Sequence, residues 1–130
     1  MHRSSRVARS HTDLWVWQLS QELKVAIDAF IEASPLGLKR NAQLRNRLLK
    51  SAATAPQLVA EGFARQLSYQ FVDYLHRAEA ELNRTLEALT LGCDRGCFTD
   101  GQVADLRRRT TRASHAINAL IRYLKMANAA

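Results

Sequence analysis

Apolar residues recur along this chain at alternating steps of three and four, the spacing that holds them on one face of an α-helix with about 3.6 residues per turn. Four such stretches can be read. The first carries Val16, Leu19, Leu23, Ile27, Phe30 and Ile31; Thr12 or Asp13 suits its N-cap, and it stops before Pro35. Leu44, Leu48, Ala52, Ala55, Val59 and Phe63 form the second stripe, with Pro56 inside it removing a backbone donor and predicting a kink. The third, with Ser68 as its N-cap, carries Phe71, Leu75, Ala78, Leu82, Leu86 and Leu89. The fourth opens at Thr99 or Asp100 and carries Val103, Leu106, Thr110, Ala113, Ile117, Leu120 and Leu124. Breaker clusters at 34–37 and 92–96 and a weaker joint at 66–68 separate them, giving predicted helices over 13–34, 41–65, 68–91 and 99–127.

No strand-like alternation is present, so the expected fold is all-α: an antiparallel up-down-up-down four-helix bundle over residues 12–130, preceded by a disordered basic arm over 1–11. The expected core includes Leu23, Ile27, Leu48, Val59, Leu75, Leu82, Ile117 and Leu120. A length of 130 residues suits one domain, and 47% apolar content with 5 Gly and 2 Pro excludes collagenous, low-complexity and wholly disordered classes. No run of about 18 apolar residues occurs, so no membrane span is expected. The arm holds Arg3, Arg6 and Arg9 without an acid; a solvated basic arm is the favoured reading and an organellar transit peptide the competing one, while a secretory signal lacks its apolar region. Cys93 and Cys97 lack the two-residue spacer of redox and zinc pairs, which favours loop thiols in a reducing cytoplasm over a metal site.

The charge is uneven. The net +7 comes from 19 cations, 15 of them Arg, and concentrates in 35–65 at +5 and 99–130 at +4, while 12–34 and 66–91 carry −3 and −2. At about 100° per residue, the fourth segment sets Arg108, Arg112, His115, Ala119 and Arg122 on one line opposite its apolar stripe, flanked by Arg107 and Lys125. Arg47, Lys50, Thr54 and Arg65 lie on the polar side of the second. Guanidiniums grip phosphate through a planar fork of donors, so Arg47, Lys50, Arg65, Arg107, Arg108, Arg112, Arg122 and Lys125 are the candidate nucleic-acid contacts, with a solvated helix face as the plainer account. Leu14, Trp17, Val25, Leu49 and Leu58 fall outside the core stripes and are the candidate oligomer interface, the alternative being a wider core within one subunit.

Complete catalytic sets are missing. The chain has no P-loop, Gly-rich dinucleotide turn, nucleophile elbow or H-E-x-x-H motif, and His76 with Glu79 makes only half of a di-iron pattern. A non-enzyme with no cofactor and no metal is therefore expected. Glu61 and Arg65, four apart, read as a helix-surface ion pair rather than a pocket, and Gly62 as a point where a neighbouring element comes close.

Several runs carry a family likeness: DLWVW at 13–17, AATAPQLVAEGFAR at 52–65, FVDYLHRAEAEL at 71–82 and ALIRYLK at 119–125. Together they resemble the bacterial four-helix-bundle proteins encoded in intervening sequences of 23S ribosomal RNA genes. The most specific part is the run containing Pro56, Ala60, Glu61, Gly62, Phe63 and Arg65, similar to that family's S-I-P-x-N-I-A-E-G-F-x-R. Thr54, Ala55 and Leu58 depart from that pattern, as do Ala80 and Glu81 in the third segment. Accessory proteins of diversity-generating reverse transcriptases form a related branch. The resemblance implies a small bundle that assembles into a homo-oligomeric ring, a pentamer before a dimer, and that binds nucleic acid or serves a reverse transcriptase or other protein partner. The favoured functional expectation is a non-enzymatic, ring-forming bundle that contacts RNA or DNA through Arg-rich faces with low sequence specificity. A protein adaptor whose basic face docks an acidic partner is the alternative.

Overall fold

The computed structural model describes residues 8–34 and 36–129. Residues 1–7 of the expected arm, and Pro35 of the first breaker cluster, lie outside them. Four long helices make the body: α1 (Trp15–Glu32), α3 (Ala42–Phe63), α4 (Ser68–Asp94) and α5 (Asp100–Ala129), with a one-turn helix, α2 (Leu36–Lys39), in the first connection. The main contacts run α1 to α3, α3 to α4, α4 to α5 and α5 back to α1, closing a square in which chain neighbours are spatial neighbours. The contacts that cross between helices fix their directions. Ser51 of α3 bonds Thr85 of α4, and Arg65, just past the end of α3, bonds Tyr74 of α4; Ser114 bonds Glu79 and Arg107 bonds Thr90 between α5 and α4. In each pair one residue number rises as the other falls, so these helices are antiparallel. Trp15 beneath Arg112 and Phe30 against Phe98 show the same for α1 and the α5 end of the molecule. The fold is an antiparallel up-down-up-down four-helix bundle.

The apolar stripes meet at the centre. Leu23, Ile27, Leu48, Val59, Leu75, Leu82 and Ile117 are completely buried, and truncating such a residue to Ala typically costs about 2 to 5 kcal/mol. One expected core residue is displaced: Leu120 is half-buried, and Ile121 takes the buried position one step further round α5. The core also accepts one pair of polar side chains that bond each other. The Ser51 and Thr85 hydroxyls are 2.8 Å apart, and Thr85 donates to the Glu81 carbonyl, so the hydroxyl pair is satisfied where it ties α3 to α4.

Helix ends depart from the sequence expectations for local reasons. Neither Thr12 nor Asp13 caps α1; His11–Asp13 form a 3₁₀ turn, the Asp13 carboxylate accepts from the Arg9 and Ser10 backbone N–H groups, and Leu14 is the N-cap. Packed structure thus begins inside the expected arm, with the His11 ring edge-on to Trp17. Leu67, not Ser68, is the N-cap of α4. That helix runs through Gly92 to Asp94 rather than ending at 91, because its stop signal is Gly96, the residue with φ of 72°. The Cys97 N–H reaches the Gly92 carbonyl and the Gly96 N–H that of Cys93, the paired bonds of a Schellman ending that needs a left-handed residue at that place. α5 opens as expected, with the Thr99 hydroxyl accepting from the Gln102 N–H and the Gln102 side chain accepting from the Thr99 N–H.

Candidate nucleic-acid interface

Two groups of cations stand out on the surface, and different elements hold them. The first lies along α5, where Arg107, Arg108, Thr111, Arg112 and His115 line an open groove. The one-line arrangement expected for Arg108, Arg112 and His115 is present, and α1 adds a residue that sequence reasoning had not placed there. The Arg112 guanidinium carbon lies 5.2 Å from the ring centroid of Trp15, which is 46% exposed. A cation over an indole face is a favourable electrostatic contact, and it lays an aromatic surface beside the arginines.

Acids on the same helix temper this group. Asp105 takes Arg109 Nε at 2.8 Å and Arg108 Nη2 at 3.3 Å. The hydrogen bond from Arg109 is the main reason the Asp105 carboxyl sits below the usual carboxylate range, and the same bond moves the Arg109 guanidinium up. Arg107 is turned toward α4: it donates to the Thr90 hydroxyl at 3.2 Å and to the Cys93 sulfur at 3.6 Å, and it faces Asp100 at 3.6 Å. It is therefore a clamp between helices as much as a surface cation. Burial pushes the Cys93 thiol up, opposed by the Arg107 hydrogen bond. Arg122 and Lys125 are exposed further along α5.

The second group joins α3 to α4. Arg65, Tyr69, Gln70, Asp73, Tyr74 and Arg77 line a groove where the two helices approach each other. A Cβ at Gly62 would stand 2.5 Å from Tyr74 Cβ and 3.0 Å from the Phe71 ring, so the close approach anticipated at Gly62 is real and its partner is α4. Arg65 donates to the Tyr74 hydroxyl at 2.6 Å, and its guanidinium carbon is 5.0 Å from that ring's centroid; Arg77 comes within 4.7 Å of the same centroid. The expected Glu61–Arg65 pair is replaced by this arrangement. α3 ends at Phe63, so Arg65 lies past the cap and is no longer four helical positions from Glu61.

Arg47 and Lys50 are exposed on α3, diagonally across the bundle from α5, so the two basic faces expected from the sequence do not converge within one subunit. Of the candidate interface residues, Val25 is 55% exposed and Leu49 half-buried. Leu14 and Trp17 are half-buried against the core. Leu58 is a correction: at 6% exposure it belongs to the core, because α3 packs against both α1 and α4 and buries a wider arc than one stripe.

These features define a class: a small all-α bundle with separated basic clusters. A family model described as 23S rRNA-intervening sequence protein matches residues 12–119, and the chain belongs to that family. No curated protein and no solved structure matches it. Among the described residues, no helix is long and apolar enough to cross a membrane.

Proposed function

We propose that this chain is a non-enzymatic cytoplasmic bundle that binds RNA or DNA through its arginine-bearing faces, with low sequence specificity. The observation that supports this most directly is the α5 groove, where Arg108, Arg112 and His115 share one open face and Arg112 lies over the exposed Trp15 indole. Arginines on a single line suit a run of phosphates, and the indole offers a surface for an unpaired base. Assembly into a closed homo-oligomer, a pentamer before a dimer, repeats that line around the particle, so that one strand touches several copies. Val25, with the flanks of Leu14, Trp17 and Leu49, offers apolar surface for that assembly.

The test is the R108E/R112E/R122E triple variant. All three residues are exposed, so the melting temperature should change little. Binding to a long single strand should weaken strongly, and the slope of log affinity against log salt should become shallower by about 0.7 to 0.9 for each phosphate no longer neutralised. Unchanged affinity and slope would remove α5 from the interface. An acidic protein recovered in stoichiometric amount after nuclease treatment, with no binding of free strands, would favour the adaptor reading.

A further inference from the structure

The groove between α3 and α4 has the makings of a smaller and more selective site than the α5 face. Its two guanidiniums are gathered on one ring, each about 5 Å from the Tyr74 centroid, so they lie no more than about 10 Å apart. Among the described residues, no carboxylate stands within ion-pair distance of either. On α5, by contrast, Arg107, Arg108 and Arg109 all have acid partners. Two like charges held near one ring raise the local potential, which the ring and hydroxyl of Tyr74 and the unpaired Asp73 carboxylate in the same groove only partly offset. The position is also a firm one, because Tyr74 is seated where α4 passes so close to Gly62 that a Cβ there would meet its Cβ.

The other lining residues are those that recognise a base rather than a bare anion. Tyr69 is 61% exposed and lines the same groove, leaving a ring surface open for stacking. Gln70 and Asp73 add a carboxamide and a carboxylate, groups that accept hydrogen bonds from the amino edge of a base. Asp73 also disfavours a ligand that is anionic throughout, which selects against simple polyanions.

We propose that this groove binds one unpaired nucleotide, its phosphate held between Arg65 and Arg77 and its base against Tyr69. The site extends the nucleic-acid reading to a second place on the molecule, and it is separable from α5. Adenosine 5′-monophosphate, adenosine and inorganic phosphate are the probes, each titrated into the 130-residue chain and followed by NMR at the arginine Nε–H groups and the Tyr69 ring. The monophosphate should shift Arg65, Arg77 and Tyr69 together, with affinity about tenfold or more above that of either adenosine or phosphate alone. R65Q/R77Q should lose about tenfold or more in that affinity. Y69A should lose a similar factor for the monophosphate yet leave phosphate binding unchanged, and D73N should tighten the monophosphate. Tyr69 is exposed, so Y69A tests the site even if the double arginine variant were to unfold.

The R108E/R112E/R122E variant should keep the monophosphate site while losing long strands. Failure of the α5 reading therefore leaves this site standing, and the reverse also holds. Equal affinity for phosphate and monophosphate, with Tyr69 unmoved, would overturn the nucleotide proposal in favour of a plain anion site. Shifts confined to α5, or none up to about 10 mM, would overturn it outright.

Discussion

At each end of the bundle an aromatic ring is seated against a glycine of a long helix, and the two ends use that device differently. Near the end of α4, the Phe98 ring lies directly on Gly92 and is buried, with Phe30 edge-on at 5.5 Å between centroids. The cation nearby, Arg107, is tied to Thr90, Cys93 and Asp100. At the other end, Gly62 brings α4 close enough to seat Tyr74, which remains half-exposed and carries two guanidiniums that, among the described residues, have no carboxylate within ion-pair distance. The absence of a side chain at a glycine fixes a ring in both places. What differs is the company of the ring: buried among apolar groups it is a structural plug, whereas under two guanidiniums at the surface it is the platform of the proposed nucleotide site.

The largest expected effect tests the plug. In G92A the new methyl would occupy the space of the Phe98 ring, and a buried Phe that must leave forfeits most of its packing. Alanine's better helix propensity offsets only about 1 kcal/mol, so the net loss should be about 2 to 4 kcal/mol by chemical denaturation. The F98L/G92A double variant should recover part of it. A G92A protein as stable as the parent would show that the ring has somewhere else to go, and the contrast between the ends would collapse.

G62A should be milder in stability and sharper in consequence. Its methyl meets Tyr74 Cβ, an atom fixed to the α4 backbone, so the helices themselves must part by a fraction of an ångström. Overpacking of this kind costs about 1 to 3 kcal/mol before the same propensity gain is set against it. The shift moves Tyr74 relative to Arg65, so the 2.6 Å bond between them should lengthen and monophosphate binding should fall, while long-strand binding through α5 persists. Loss of both together would mean that the two basic clusters are not independent.

The same contrast explains what the sequence made legible. Stripes at steps of three and four identified four helices and most of the buried residues, because burial in a bundle is decided by angle around each helix axis. The misses lie where angle alone is insufficient. Leu58 is next to Val59 in the chain, about 100° away around the helix, yet it is buried because two neighbours flank α3. Leu120 and Ile121 both fit the pattern, and only packing selects Ile121. Arg77 was hidden by counting charge per segment, since it belongs to a stretch with a net of −2 and shares the Tyr74 ring with Arg65 only across the α3–α4 turn. Asp105 was within reach of a sequence reading: an acid three and four residues before Arg108 and Arg109 is the spacing of helix-surface pairs.

That acid supplies the smallest and most discriminating test. Asp105 is exposed and its carboxyl is depressed chiefly by the Arg109 hydrogen bond, so its contribution to stability is present above the ordinary aspartate range and is lost as pH falls through the depressed native value. The parent should therefore show a slight extra drop in melting temperature on acidification through that window, one that D105N lacks. At neutral pH, D105N releases Arg108 and Arg109 from their partner and raises the potential of the α5 groove. Long strands should then bind slightly more tightly, with a salt slope steeper by no more than about 0.9 for each additional phosphate neutralised. Monophosphate affinity at Arg65 and Arg77 should stay where it was, because Asp105 is not among the residues lining that groove. Weaker strand binding in D105N would reverse the sign assigned to this carboxylate: it would then serve to aim the two guanidiniums at phosphate rather than to neutralise them, and the acid-paired cluster on α5 would be the more organised of the two.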